Sequence, residues 1–253
     1  MSKIPISVTI LTKISEQFIE EVLDSLKKFD EVVVVDNGST DATILLSKKY
    51  ENVTMCLEEF IGFGPLKRKA AQLAKHDWIF SVDSDEVVGD DLVDSIANID
   101  LSSRELVYSI NRRNFFSGRE IKHSGWSPDI LVRLFNKTYT NYNSSYVHEK
   151  VVLPKDCQPA LLSGSFKHYS MGSVGEIVSK MNSYTTMYAE SNRDRESSAL
   201  KAVVHACLAF MKAYFIRLGF LDGWRGLVIA VMAANGCFVK YMKIVDLQER
   251  QSP

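Results

Sequence analysis

Apolar residues fall into two alternating rhythms over the first hundred positions. Ile6 to Leu11 is a compact apolar run with the density of a strand, and Glu31 to Val35 is another, carrying four successive valines. Such continuity belongs to strands of a parallel sheet buried on both faces. Between them Phe18, Ile19, Val22, Leu23, Leu26 and Phe29 recur at helical spacing, with Ser15 placed as the N-cap. The alternation continues with a helix over Ala42 to Tyr50, a short strand over Asn52 to Leu57, and a helix from Pro65 to Lys75. Proline suits a first helical turn. A strand over Trp78 to Val82 and a helix over about Asp90 to Asn98 complete the series. Strand and helix in strict exchange predict an α/β fold with a doubly wound parallel sheet.

The rhythm changes after Glu105. Leu106 to Ile110, Ile130 to Phe135 and Tyr146 to Val151 read as strands, Gly125 to Asp129 as a loop, and Phe166 to Tyr169 as the end of a mixed region. Past Gly172 the pattern is helical, over Ile177 to Glu190, Ala199 to Leu218 and Leu227 to Val239, with Gly223 and Gly226 as breaks. The expected domains are 1–170, divided into 1–100 and 101–170, and a helical region over 171–253. No stretch reaches about 18 uninterrupted apolar residues, so no spanning helix is expected. From Lys201 onward four Lys and three Arg face two Asp and one Glu. This suits an interfacial helix on an anionic membrane, or a hairpin packed on the core or on a second subunit.

Composition narrows the class. The 253 residues are 46% hydrophobic and 24% charged, as in a folded globular protein, and a net charge of -1 argues against nucleic acid as a partner. Cys56, Cys157, Cys207 and Cys237 have no metal-binding spacing and read as free thiols of a reducing compartment. The apolar run Ile4 to Leu11 is too short for a secretory leader, so a cytoplasmic chain is expected.

The chemistry concentrates at strand ends. Trp78 to Val82 runs into Asp83-Ser84-Asp85-Glu86, and strand alternation sets Asp83 and Asp85 on one side. Carboxylates that close call for a cation, and Mg²⁺ or Mn²⁺ suits them; a solvated acidic turn is the alternative. A calcium loop fits poorly, because Val87 and Val88 stand where an oxygen ligand and Gly belong. The ends of the first three long strands, Leu11-Thr12, Asp36 and Asp83/Asp85, converge on one edge, where α/β sheets bind ligands. Asp36 suits a ribose or a base, or caps its own turn. Neither a GxGxxG nor a Walker sequence is present. Lys67, Arg68 and Lys69 oppose the dipole of their helix, so they point to a bound phosphate or to a solvated face. Asp129, His148 and Glu149 have the chemistry of a general base or an added metal ligand, and the His-Glu pair reads equally as structural.

Taken together, Val-Asp-Asn-Gly-Ser-Thr-Asp at Asp36, Gly-Phe-Gly-Pro-Leu-Lys-Arg-Lys at the third helix and Ser-Val-Asp-Ser-Asp-Glu resemble the family 2 glycosyltransferases with the nucleotide-sugar-binding GT-A fold. Gly-Trp-Ser-Pro-Asp-Ile-Leu-Val-Arg-Leu-Phe-Asn-Lys, Val-His-Glu-Lys-Val and Gly-Phe-Leu-Asp-Gly are similar to segments of the bacterial lipopolysaccharide core glucosyltransferases. Asn37 stands where that subgroup often has Ser. The resemblance implies inverting transfer of glucose from UDP-glucose to an inner-core heptose, by an enzyme peripheral on the inner membrane. It implies that Thr12, Asp36, Lys67, Arg68 and Asp83 bind the nucleotide sugar. Asp83, Asp85 and His148, or His168 in its place, would hold Mg²⁺ or Mn²⁺. Asp129, followed four positions on by Arg133, is the first choice of base and Glu149 the second. Alternatives are another lipid-linked or protein acceptor, a metal-dependent phosphohydrolase, or a UDP-sugar-binding protein without turnover. Oligomeric state stays open.

Overall fold

A computed structural model describes residues 3–146 and 148–250. Strands β1 (Ile4–Thr12), β2 (Phe29–Asp36), β3 (Val53–Leu57) and β4 (Trp78–Asp83) lie parallel in the order β3-β2-β1-β4. The order continues through β8 (Ile130–Asn136), β6 (Val107–Phe116), β9 (Ala160–Met171) and β5 (Glu86–Val88). Here the pairings β4–β8, β6–β8 and β5–β9 are antiparallel. The expected parallel sheet therefore forms only the first half, and the region after Glu105 extends it as a mixed sheet.

Burial follows the pleat. Ile6, Val8 and Ile10 of β1, Val32 and Val34 of β2, and Phe80 and Val82 of β4 face one side. They pack there with Ile19, Val22 and Leu23 of α1 (Ile19–Ser25) and with Leu92, Val93 and Ile96 of α4 (Asp90–Ala97). Val33, Val35 and Ile79 face the other side, against Leu66, Ala70 and Ala71 of α3 (Phe63–Leu73). The four valines of β2 are all fully buried, which is what a strand covered on both faces requires.

The chain forms two compact units. One comprises 1–112 and 129–168, and the other Arg113–Pro128 together with Tyr169–Pro253. Arg113–Pro128 belongs with the helices, so the two units are not divided by a single cut in the sequence. The second unit contains β7 (Arg119–Glu120), which pairs with the end of β6. Its helices are α5 (Val174–Ser191), α6 (Ala199–Met211) continued by a π-helical turn over Lys212–Ile216, a 3-10 turn over Gly219–Asp222, and α7 (Trp224–Glu249). Ser173 and Ser198 cap α5 and α6 by accepting from Glu176 N–H and Lys201 N–H.

Several local expectations change. The Ser15 side chain does not cap α1; its hydroxyl bonds Ser84 Oγ at 2.9 Å, and only its carbonyl serves the turn, accepting from Phe18 and Ile19 N–H. α2 spans Thr43–Ser47, shorter than Ala42 to Tyr50. Of the strand expected over Tyr146 to Val151, only Val151 pairs, in a single bridge to Tyr142, and Val147 lies outside the described residues. His148 there has φ 62°, which takes the backbone out of strand geometry. Two helices, Ala199–Ile216 and Trp224–Glu249, are long and apolar enough to cross a membrane by length and composition. Neither is an uninterrupted apolar run: Lys201 and Lys212 lie within the first, and Arg225, Lys240 and Lys243 within the second.

Gly164 shows how tightly β9 meets α4. With φ +88°, a Cβ at this position would stand 2.5 Å from Leu92 N and 2.7 Å from Leu92 Cα. Both obstacles are backbone, so no rotamer change relieves them. Gly164→Ala is expected to lower stability by roughly 1–3 kcal/mol, read as a lower urea midpoint with unchanged slope.

Candidate active site

At the carboxyl ends of β1 and β2, register sets Thr12 beside Asp36. Asp36 accepts from Thr12 Oγ1 at 2.8 Å, from Gly38 N–H at 3.0 Å, from Ser39 N–H at 2.9 Å and from the Ser39 hydroxyl. Four donors match the acceptor sites of a carboxylate, so Asp36 caps its own turn, the alternative left open by the sequence. Burial pushes its pKa up, but the Ser39 and Thr12 hydroxyls and the two N–H groups more than offset this and hold it below the ordinary carboxylate value. Beside it Asn37 Oδ1 is buried with no donor among the described residues.

α3 does not offer its N-terminus to an anion. Phe63 N–H and Gly64 N–H are bonded to the carbonyls of Tyr146 and Ser145 at 2.9 and 3.0 Å. A Cβ on Gly64 would stand 2.4 Å from Asn143 O, so glycine is what admits this loop. Lys67 is buried and bonds Asp83 Oδ1 at 2.8 Å and Glu149 Oε1 at 2.9 Å. Burial works against its charge, but Asp83 and, more weakly, Glu149 outweigh that and raise its pKa. Arg68 is exposed and reaches the Tyr142 carbonyl at 3.4 Å, while Lys69 pairs with Glu58. Each of these three residues has a protein partner here.

β4 delivers Asp83 into a ladder of alternating charge. Arg133 Nη2 donates to Asp83 Oδ2 at 2.6 Å and to Glu86 Oε1 at 2.8 Å. Arg112 donates to Glu86 at 3.2 Å and to Asp129 Oδ2 at 2.8 Å. Glu149, Lys67, Asp83, Arg133, Glu86, Arg112 and Asp129 thus form one connected series. The antiparallel strands β6 and β8 supply Arg112 and Arg133, and the backbone bond from Arg112 N–H to Asp129 O at 2.7 Å fixes Asp129 at the mouth of β8. Asp83 is held well below the ordinary carboxylate value: burial pushes it up, and Arg133 and Lys67 overcome that. Glu86 has no exposed side-chain surface, and burial raises it despite Arg133. It also accepts Asp83 N–H at 2.9 Å, which closes the turn between β4 and β5.

Asp85 lies past the end of β4, so strand alternation does not govern it. Its carboxylate faces His168 Nε2 at 3.4 Å, because the β5–β9 register sets Glu86 opposite His168. Lys67 and Arg133 offset Asp83, while the Asp85 carboxylate and the His168 imidazole face each other beside it. Among the described residues no group of three His, Cys, Asp or Glu could hold an ion. Two donors are nevertheless what Mn²⁺ or Mg²⁺ takes from a protein when substrate phosphates complete the shell. His148 sits exposed in the loop after β8, and His168 is the imidazole the fold brings to Asp85. The sequence reading passed over Arg112 and left Glu86 without a role. Glu86 was legible as the third acid of the motif, whereas Arg112 depends on strand pairing far from it in sequence.

A parallel half continuing into antiparallel strands, with acids at the switch and helices at the C-terminal end, is the arrangement of a GT-A glycosyltransferase. The model of the family "Glycosyl transferase family 2" matches residues 7–156, and the chain belongs to that family. An uncharacterized glycosyltransferase of Rickettsia typhi is 30% identical over 257 residues, covering 96% of this chain and 87% of the relative. The lipopolysaccharide core biosynthesis glycosyltransferase LpsC of Rhizobium meliloti is 26% identical, covering 99% of this chain and 94% of that protein. Among solved structures, Staphylococcus aureus TarS 1-349 in complex with UDP is similar at 17% identity and a TM-score of 0.45, covering 100% of this chain and 92% of that one.

Two predictions follow the charges. Arg133→Met strands Asp83 and Glu86 without their shared cation and is expected to destabilise by about 3–5 kcal/mol, with part of the loss recovered in Arg133→Met/Glu86→Gln. Asp36 has a depressed folded pKa, so its stabilisation is present above its unfolded value near 3.9 and is lost as pH falls through that region. Urea unfolding stability is expected to drop below about pH 4, and to drop less steeply in Asp36→Asn.

Proposed function

We propose that this chain is an inverting hexosyltransferase that moves glucose from UDP-glucose to a lipid-anchored saccharide, the heptose of a lipopolysaccharide inner core being the expected acceptor. The observation that carries the proposal is the charge ladder with Asp129 at one end and the Asp85–His168 pair beside its centre. The likeness to LpsC across nearly the whole chain supports the acceptor class.

The donor lies at the strand ends. Asn37 Oδ1, a buried acceptor without a donor among the described residues, suits a base or ribose N–H or O–H beside the turn of Thr12 and Asp36. Asp36 itself takes part by shaping that turn, or by exchanging one of its two hydroxyl donors for the ribose. Lys67 and Arg133 fix Asp83, and Lys67 and Arg68 lie on the first turns of α3 for the diphosphate once donor binding redistributes their partners. Asp85 and His168 would hold Mn²⁺ or Mg²⁺, which supplies counter-charge to the diphosphate leaving group.

Asp129 takes the proton of the acceptor hydroxyl as that oxygen bonds to the anomeric carbon from the face opposite the diphosphate. The bond from that carbon to the diphosphate oxygen breaks, UDP departs with the electron pair, and the configuration inverts. Arg112 orients the Asp129 carboxylate through Nε at 2.8 Å. Glu149 is committed to Lys67 and ranks second as base.

Asp129→Asn keeps the shape and removes the basicity, so turnover is expected to fall by roughly 10²-fold or more with UDP affinity unchanged. Steady-state kinetics with UDP-glucose and lipid-linked core saccharide test this; an active Asp129→Asn beside a dead Glu149→Gln reverses the assignment. Asp85→Ala and His168→Ala are each expected to weaken Mn²⁺ binding by about 10-fold or more, followed by Mn²⁺ paramagnetic resonance in the presence of UDP. Release of glucose from UDP-glucose at full rate without any acceptor would replace transfer by hydrolysis.

A further inference from the structure

The α6–α7 hairpin carries an outward apolar surface that no other described element covers. Leu200 and Ile216 are 75% exposed, Leu208 60% and Leu221 55%, with Phe215 and Trp224 at 50%. In the 18-residue windows that could cross a membrane, only 11% and 17% of residues are buried. The charge on this surface is one-sided. Between Ala202 and Val239 the only acid is Asp222, which is buried, whereas Lys212 and Arg217 are exposed. The whole chain holds 31 acids and 30 bases, so this segregation is local. Apolar side chains rimmed by cations match the boundary between anionic headgroups and acyl chains. A second copy of the chain on a two-fold axis would set the same cations against each other.

Length and hydropathy allow crossing, but both ends of the hairpin are tied to polar segments of the same unit. At the connector, Asp222 accepts from Lys122 N–H at 3.2 Å, His123 N–H at 3.0 Å and Ser124 Oγ at 3.3 Å, and pairs with His123 Nδ1 at 3.1 Å. Ser124 N–H donates to Arg217 O at 2.9 Å, and Arg225 donates to the carbonyls of Phe116 and Ser117, both at 2.9 Å. At the other end Lys243 bonds Asn182, Thr185 and Thr186 of α5, and Gln248 bonds the carbonyls of Arg193 and Arg195. Crossing would draw one of these ends, with its charged neighbours, through hydrocarbon, where ionised side chains and open backbone are disfavoured.

We infer that the α6–α7 hairpin lies in the plane of an anionic membrane without crossing it, its apolar face at the headgroup–acyl boundary and Lys212 and Arg217 on lipid phosphates. Its use to the enzyme rests on the reading of the acceptor as lipid-anchored. Arg225 belongs to the connector, where the carbonyls of Phe116 and Ser117 hold it.

The test is flotation of the full chain with vesicles of equal parts phosphatidylcholine and phosphatidylglycerol. Wild type is expected to float at low salt and to be released by high salt or alkaline carbonate. Ile216→Ser/Leu221→Ser is expected to bind at least tenfold more weakly, and Lys212→Gln/Arg217→Gln roughly tenfold more weakly, with thermal unfolding near that of wild type. Absence of flotation at low salt, unchanged flotation of Ile216→Ser/Leu221→Ser, or retention on membranes through alkaline carbonate overturns the inference. Transfer to delipidated core saccharide, measured on the same samples, separates the two readings. A variant that no longer floats but still transfers leaves the acceptor assignment standing. A wild type that floats but transfers to no core saccharide overturns that assignment and leaves the docking.

Discussion

The site depends on the burial of Glu86. A carboxylate with no exposed surface, one turn from Asp83, is tolerated only with cations aimed at it, and Arg133 reaches both acids through one nitrogen. That requirement brings β8 against β4 and Arg112 of β6 within reach of the same glutamate. Arg112 in turn holds Asp129, and Lys67 carries the series from Asp83 to Glu149. Each permanent cation touches two carboxylates, so removing one residue unbalances its neighbours. An active site built in this way is pre-organised before any ligand enters, and the Arg112 ion pair fixes the position of Asp129.

The ladder also divides the acids of the Asp83-Ser84-Asp85-Glu86 motif by function. Glu86 is structural, Asp83 is offset by Lys67 and Arg133, and Asp85 faces His168. In our account this leaves Asp85 and His168 to the metal and Asp129 to the proton. The five carboxylates Asp83, Asp85, Glu86, Asp129 and Glu149 outnumber the cations Lys67, Arg112 and Arg133 by two formal charges. A divalent cation suits that remainder.

Much of this was legible in the sequence, for identifiable reasons. The valines of β2 and the apolar run of β4 announced strands buried on both faces, and Asp36 and Asp83 stood where those strands end. The helix over α3 was also readable. What escaped depended on register between distant segments. Arg112 meets Glu86 only through the antiparallel half of the sheet, and the choice of His168 over His148 beside Asp85 depends on the β5–β9 pairing. Sequence shows the charge of Lys67 but not Asp83 and Glu149, the acids it pairs with. The loop around His148 looked like a strand because Val and Tyr are strand formers, yet Tyr146 and Ser145 turn their carbonyls to α3 instead.

The division of labour among the acids is open to direct observation in a crystal of the chain grown with Mn²⁺ and UDP, using anomalous scattering to locate the metal. The account predicts one peak between Asp85 and His168 beside the diphosphate, with Arg112 still on Asp129. A peak on Asp83 or at His148, or UDP bound with no metal between Asp85 and His168, would contradict it.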